Sequence, residues 1–194
     1  FMVQGNKVRL TWKLLYTSLP KVLLGGAFLL PVFYSRYESL ELLLAEIIFS
    51  LFLLVIAIFD FQYGLIFDRL LLPLAILGLL FQIYFGADII QNMAYGSFLG
   101  IGSLFLLRIL SHNGMGYGDI KFAGVLGIWL GWDGILMALW GAFFLGGIFA
   151  AVLLLWSNRS LRDKIPFGPF LSFSAFVVFF YGQELVNLYK DWWL

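Results

Sequence analysis

The sequence predicts an all-α membrane protein, a polytopic helix bundle of about seven transmembrane helices. Of its 194 residues, 62% are hydrophobic and only 12% are charged, about half of the ~25% charged residues typical of soluble domains. Apolar stretches of about 20 residues recur along the chain, the length at which an α-helix crosses the hydrocarbon core. A transmembrane β-barrel would show alternating segments of about ten residues instead. We expect a single membrane-embedded domain over residues 1–194.

The first predicted span is the least regular one. It runs from about Leu14 to Tyr34 and is interrupted by Pro20, Lys21 and Pro31, and residues 1–14 before it are expected to be cytoplasmic. Six more continuous apolar segments follow it. They are predicted at Glu41–Asp60, Leu70–Phe85, about Ile89–Leu110, Ile120–Trp132, Ile135–Trp156 and Phe167–Leu188.

Residue types at the ends and on the faces of these segments support their helical character. Asp68 precedes the third span and is predicted to be its N-cap, with a substrate contact as the alternative. The fourth and fifth spans carry Gly96-x-x-x-Gly100 and Gly127-x-x-x-Gly131, small-residue faces that we expect to pack helices closely within the chain, with a dimer interface as the alternative. Before the seventh span, Pro166 and Pro169 occupy positions where proline suits a helix entry.

The basic residues predict the orientation. With the N-terminus inside, the outer segments carry only Arg36 and Lys190, and Lys21 falls within the first span. Cytoplasmic loops of membrane proteins are enriched in Lys and Arg, so the remaining basic residues define the cytoplasmic face of the cell inner membrane. These residues are Lys7, Arg9, Lys13, Arg69, Arg108, Lys121, Arg159, Arg162 and Lys164.

The fifth span is short, which predicts a water-containing pocket. From Asp119 to Trp132 a helix covers roughly 20 Å at about 1.5 Å per residue, against a hydrocarbon core of about 30 Å. If Trp132 marks the outer interface, Asp119 lies below the inner membrane surface. Irregular, glycine-rich backbone at that depth must be shielded by protein or line a wet cavity.

Two aspartates are the main candidates for chemistry. Asp60 ends the long apolar run of the second span, and Asp119 closes the string GMGYGD. Both fall at the same membrane face in the predicted topology, and ionisable groups in or near hydrocarbon are usually functional. The alternative is that the two side chains merely cap helix ends or snorkel to the interface.

A close pair of carboxylates suits peptide hydrolysis because the pair holds one shared proton. The ionised aspartate activates a water molecule, and the protonated one donates to the scissile carbonyl. Gly114, Gly116 and Gly118 give the backbone conformations that other residues disfavour and allow an extended peptide to approach closely. No metal is needed for this chemistry.

Three strings in the right order resemble the type IV prepilin (leader) peptidase family of GxGD aspartyl proteases. GYGDIK (Gly116–Lys121) resembles the family's GxGD-x-K motif, and Asp60 stands where its first catalytic aspartate stands, before an I-P-D-like element that here reads Ile66-Phe67-Asp68. IPFGPF (Ile165–Phe170) resembles the IPFGP signature. The resemblance covers residues of about 40–188.

The resemblance implies a GxGD aspartyl protease fold and a membrane endopeptidase that cleaves the leader of type IV prepilins or pseudopilins at the cytoplasmic face. Asp60 and Asp119 would be catalytic. The substrate would be a protein with a hydrophobic N-terminal helix lying in the bilayer. Substrate-binding or supporting residues would be Gly114, Gly116, Gly118, Lys121, Asp68, Pro166, Gly168 and Pro169.

Two departures from the family pattern concern Phe67 and cysteine. Phe67 replaces the family's proline, and the chain has no Cys, whereas typical members carry paired CxxC motifs in an N-terminal region that we expect this protein to lack. Family members often also N-methylate the new N-terminus, so S-adenosylmethionine is expected as a cofactor only if methylation is retained. Without cysteine, thiolate metal sites are excluded.

Three other polar residues have candidate roles in the fold or in the site. Lys121 either pairs with an anion or favours ionisation of Asp119, or it anchors the chain at the inner interface. His112 is the only histidine, so a His-based metal cluster is excluded and a solvated loop position is expected. Glu46 is expected to face a polar neighbour in a structural role.

Two rival functions fit the sequence less well than the peptidase interpretation. A proton- or cation-coupled small transporter would use Asp60 and Asp119 as carriers, but transporters often contain internal repeats, and the two halves of this sequence show no self-similarity. The presenilin and signal-peptide-peptidase branch shares GxGD chemistry, but its Pro-Ala-Leu signature is absent. With a net charge of +1 and no basic tract, nucleic acid is not an expected partner.

Overall fold

The computed structural model describes residues 40–85, 89–112, 114–156 and 165–193. In these ranges the chain forms five helices. The predicted first span, the N-terminal segment 1–14 and the basic residues of 157–164 lie outside the described part. The helices are α1 (Leu40–Tyr63), α2 (Asp68–Phe85), α3 (Ile89–Leu110), α4 (Tyr117–Trp156) and α5 (Gly168–Trp193).

The helical, membrane-type architecture predicted from composition is confirmed for the described residues. Three of their helical segments, Leu40–Tyr63, Ile90–Leu110 and Tyr117–Leu153, are long and apolar enough to cross a membrane. A shorter apolar segment spans Gly168–Gly182. Large apolar side chains are exposed along these helices, as expected of a surface that faces lipid.

The start of α2 differs by one position from the prediction. The carbonyl of Phe67 accepts hydrogen bonds from the N–H groups of Leu70 and Leu71, at 2.9 and 3.4 Å. Phe67 is therefore the N-cap, and Asp68 is the first helical residue. The prediction that Asp68 caps the helix was wrong, because an aspartate at the first helical position gives the same sequence signal. The Phe67 ring packs edge-on against Phe59, with centroids 5.5 Å apart.

The predicted fifth and sixth spans are the two halves of α4. They meet at Gly131, whose φ of 69° and ψ of −173° are not helical. We call residues 117–130 α4a and residues 132–156 α4b. The sequence predicted a boundary between Trp132 and Ile135, but the break is a single residue and Asp133 is already helical. A positive φ favours glycine, which explains why the interruption falls at this position.

Side chains from α2 and α3 satisfy the backbone groups that the break leaves free. The Asn92 side-chain oxygen accepts a hydrogen bond of 2.9 Å from the N–H of Trp132. The Gln82 amide donates to the carbonyls of Ile128 and Trp129, at 3.3 and 2.9 Å. Non-helical backbone within a membrane protein persists only where its polar groups are paired. Gln82 and Asn92 therefore allow the chain to break without a loop.

The glycine faces bring α3 and α4a into backbone contact. A Cβ on Gly127 would lie 2.3 Å from backbone atoms of Gly96, and a Cβ on Gly100 would lie 2.4 Å from the carbonyl oxygen of Ala123. Gly131 also borders Gly96. The predicted close packing of these faces within one chain is confirmed, and it fixes α4a against α3.

An aromatic cluster around Trp129 holds α4a against the other helices. The Trp129 ring lies 4.6 Å from Phe49 of α1, 5.3 Å from Phe81 of α2 and 6.0 Å from Phe179 of α5, measured between centroids. Its indole N–H donates to the carbonyl of Leu74 at 2.9 Å. Such pairs add to the burial of the rings themselves. Helix α4a, which begins beside Asp119, is thereby held among three other helices.

Candidate functional site

Asp60 lies in the last turn of α1 and is only 4% exposed. Its Oδ2 atom accepts a hydrogen bond of 2.8 Å from the backbone N–H of Gly168. Gly168 is the first residue of α5, so the positive end of that helix dipole faces the carboxylate. A buried carboxylate is costly unless it is hydrogen-bonded, and the start of α5 supplies that partner.

The IPFGPF segment is shaped to make this contact. The N–H of Leu171 bonds to the carbonyl of Phe167 at 3.1 Å, which begins the helix at Gly168, and Pro169 falls in the first turn as predicted. Pro166 lies two residues before the helix and is half-buried. A Cβ on Gly168 would lie 2.6 Å from Oδ2 of Asp60 and 3.0 Å from its Cγ. Only glycine fits between the chain and this carboxylate.

Asp119 lies in the first turn of α4a and is half-buried. The backbone of Gly116 donates a hydrogen bond to its carboxylate, which also interacts electrostatically with Asp60. Its Oδ1 atom is buried and has no hydrogen-bond partner among the described residues. The structure thus brings the two predicted aspartates within electrostatic range of each other.

The glycines of the GMGYGD loop have different surroundings. A Cβ on Gly116 would lie 2.8 Å from Oδ2 of Asp119, and one on Gly118 would lie 3.0 Å from the Ile66 side chain. The N–H of Gly114 donates to the hydroxyl oxygen of Ser111 at 3.1 Å. Gly116 therefore lies against the Asp119 carboxylate, Gly118 lies against the segment that follows Asp60, and Gly114 anchors the start of the loop.

Lys121 pairs with Asp68. Its ammonium group donates to both carboxylate oxygens, at 2.9 and 2.8 Å, and both side chains are largely exposed. Of the two interpretations of Lys121, pairing with an anion is the one observed, but the anion is Asp68 and not Asp119. The ion pair links the segment that follows Asp60 to the helix that carries Asp119.

Sequence reasoning missed the role of Arg108, which it used only to orient the chain. Arg108 donates a hydrogen bond to the carbonyl of Met115, and its guanidinium carbon lies 3.8 Å from the ring centroid of Tyr117. A basic residue in the last turn before a glycine loop is the only signal the sequence offered.

His112 is exposed, as expected, with a φ of 50°, and Glu46 is half-buried.

Comparison with known proteins places the chain among leader peptidases. Residues 47–151 match the model of the type IV leader peptidase family. The leader peptidase HopD of Escherichia coli is 34% identical over an alignment of 139 residues, which covers 68% of this chain and 89% of HopD. A prepilin leader peptidase/N-methyltransferase of Xanthomonas campestris pv. campestris is 33% identical over an alignment of 151 residues, which covers 74% of this chain and 52% of that protein.

A third relative is the prepilin leader peptidase/N-methyltransferase of Escherichia coli K12. It is 33% identical over an alignment of 138 residues, which covers 69% of this chain and 61% of that protein. The chain thus spans nearly all of HopD but only about half of the Xanthomonas relative. No solved structure matches the chain at a significant level. On the match to the family model and the identity with HopD, the chain belongs to the type IV leader peptidase family.

Proposed function

We propose that this protein is an aspartyl endopeptidase that removes the leader from type IV prepilins or pseudopilins. The observation that carries the proposal is the proximity of Asp60 and Asp119. Their carboxylates, at the end of α1 and the start of α4a, interact electrostatically. Family membership supports a peptidase over a transporter, because several relatives are named as leader peptidases.

The geometry suits hydrolysis by a shared-proton pair. Asp60 accepts a hydrogen bond from the N–H of Gly168, and the buried Oδ1 of Asp119 has no hydrogen-bond partner among the described residues. One carboxylate, ionised, takes a proton from a water molecule that attacks the scissile carbonyl carbon. The other, protonated, donates to the carbonyl oxygen as the tetrahedral intermediate forms.

The supporting residues act around this pair. Gly116 lets the loop backbone lie against the Asp119 carboxylate, Gly118 lets the same loop pack against Ile66, and Gly114 starts the loop. Gly168, between Pro166 and Pro169, positions Asp60 from the opposite side. The ion pair of Lys121 and Asp68 joins the segment that follows Asp60 to the helix that carries Asp119. We assign these residues to positioning and substrate support. They are Gly114, Gly116, Gly118, Lys121, Asp68, Pro166, Gly168 and Pro169.

We further propose a seven-span GxGD-type bundle in the inner membrane, with the N-terminus and the active site facing the cytoplasm. Arg69, Arg108 and Lys121 lie beside the aspartate-bearing segments, which supports a cytoplasmic position for that end of the bundle. Proteolysis by an aspartate pair requires neither a metal nor S-adenosylmethionine. The latter is expected only where the N-methyltransferase activity in the names of several relatives is retained.

The test is cleavage of a purified type IV prepilin by the full chain in detergent. Asp60→Asn and Asp119→Asn should each abolish cleavage, because neither amide can take part in proton exchange. Asp133→Asn is the matched control, since Asp133 is an exposed carboxylate beside the α4 break, and it should cleave at the wild-type rate. Undiminished cleavage by either of the first two variants would remove that aspartate from the mechanism.

A further inference from the structure

Arg108 makes two contacts with the loop that carries Asp119. It lies in the last turn of α3 and is half-buried. One guanidinium nitrogen donates to the carbonyl of Met115, and the guanidinium carbon lies over the ring of Tyr117, 3.8 Å from the ring centroid. The two contacts are made to the residues on either side of Gly116, so Arg108 holds the loop at both neighbours of that glycine.

Gly116 connects these contacts of Arg108 to the candidate active site. Its backbone donates a hydrogen bond to the Asp119 carboxylate, and its carbonyl accepts one from the N–H of Ile120 at 3.4 Å. Glycine has more conformational freedom than other residues, so its neighbours must fix its orientation. A shift of Gly116 would move the hydrogen bond that orients Asp119.

Ser111 restrains the other end of the same loop. Its hydroxyl oxygen accepts a bond from the N–H of Gly114 at 3.1 Å, and its own N–H bonds to the carbonyl of Leu107 at 2.8 Å. The turn leaving α3 is therefore held to the helix end, and Arg108 contacts the stretch nearer Asp119. Arg108 is the long side chain that reaches from the end of α3 to that stretch.

We propose that Arg108 is a positioning residue for the cleavage reaction, which holds the Met115–Tyr117 stretch so that Asp119 faces Asp60. The proposal rests on the proposed aspartyl peptidase function. It differs from the two roles that a basic residue at a helix end has by default, which are orienting the chain in the membrane and complementing the helix dipole. Both default roles require only a positive charge.

Arg108→Lys separates these roles because it retains the charge. Lysine lacks the planar fork that bonds a carbonyl while stacking on a ring. We expect kcat for prepilin cleavage to fall about tenfold in Arg108→Lys and on the order of 100-fold in Arg108→Gln, with KM within about twofold, since small misplacements of catalytic groups have effects of this size. Arg69→Gln, which removes an exposed arginine near the same site, should match the wild type.

A second variant tests the route through Tyr117. Tyr117→Leu should lower kcat as Arg108→Lys does, and the double variant Arg108→Gln/Tyr117→Leu should be no slower than Arg108→Gln alone, since the two residues act through one contact. Each rate is expressed per folded protein, measured by thermal unfolding in the same detergent. Multiplicative losses in the double variant would overturn the proposal, as would a rise in KM at unchanged kcat.

Two results separate this proposal from the peptidase function itself. If Asp119→Asn cleaves at the wild-type rate in the same assay, the aspartate pair fails, and the positioning role fails with it. If Asp119→Asn is inactive while Arg108→Lys and Arg108→Gln both match the wild type, only the positioning role is overturned.

Discussion

The backbone N–H of Gly168 donates to Oδ2 of Asp60 at 2.8 Å, and this bond joins the first residue of α5 to the last turn of α1. It explains why a glycine stands between two prolines at that helix entry. The prolines set the approach of the chain, and the missing side chain lets the backbone come within bonding distance of a buried carboxylate.

Gly168→Ala should therefore inactivate the enzyme while leaving a folded protein. The new Cβ would lie 2.6 Å from Oδ2 and 3.0 Å from Cγ of Asp60, so the short carboxylate side chain must move and lose its backbone partner. We expect prepilin cleavage to fall on the order of 100-fold, as misplaced catalytic groups commonly cause. Initial rates on a purified prepilin measure this loss.

Gly147→Ala is the control for that substitution. Gly147 lies in α4b, and a Cβ there would meet nothing within 4 Å, so the variant should cleave at the wild-type rate. Equal rates for Gly168→Ala and Gly147→Ala would mean that the Asp60 contact has no part in catalysis.

Gly127→Ala tests the close packing of α3 against α4a. Its Cβ would lie 2.3 Å from the backbone of Gly96, and neither backbone can yield without separating the helices. We expect the free energy of unfolding in detergent to fall by about 1–3 kcal/mol, the usual cost of overpacking. Gly102→Ala on α3 has open space around it and should be neutral or stabilising, since alanine favours helix. A Gly127→Ala protein as stable as Gly102→Ala would contradict the packing.

Asn92→Ala tests how the break in α4 is stabilised. The side chain of Asn92 accepts a bond from the N–H of Trp132 at 2.9 Å and so acts as an N-cap supplied by another helix. Loss of such a cap costs about 1 kcal/mol, which a shift in the thermal unfolding midpoint would report. The neighbouring exposed Gln91 provides the comparison through Gln91→Ala, and an equal effect of both substitutions would argue against the cap.

The sequence predicted the helices well because each is a long apolar run bounded by polar residues. The bounds of α3 are those expected, and α1 and α2 begin or end within a turn of their predicted limits. The break in α4 was less predictable. Its position depends on Asn92 and Gln82, which come from other helices and give no local signal near Gly131.

The aspartates of the candidate site were predictable, but their contacts were not. Asp60 and Asp119 stood out because charges are rare in so apolar a chain. The bonds from Gly168 and from Arg108 depend on how helices face each other, and helices that are apolar all round do not reveal which face is inward. For the same reason Lys121 gave no sign that its partner would be Asp68.

The central claim is that the side chains of residues 60 and 119 face each other. The chain has no native cysteine, so the double variant Asp60→Cys/Asp119→Cys can be treated with a short thiol-specific cross-linker in membranes and the intramolecular product measured. Efficient cross-linking is expected for this pair and none for Asp60→Cys/Asp133→Cys. A 60/119 pair that reacts with single-ended thiol reagents yet cross-links no better than the 60/133 pair would contradict the claim.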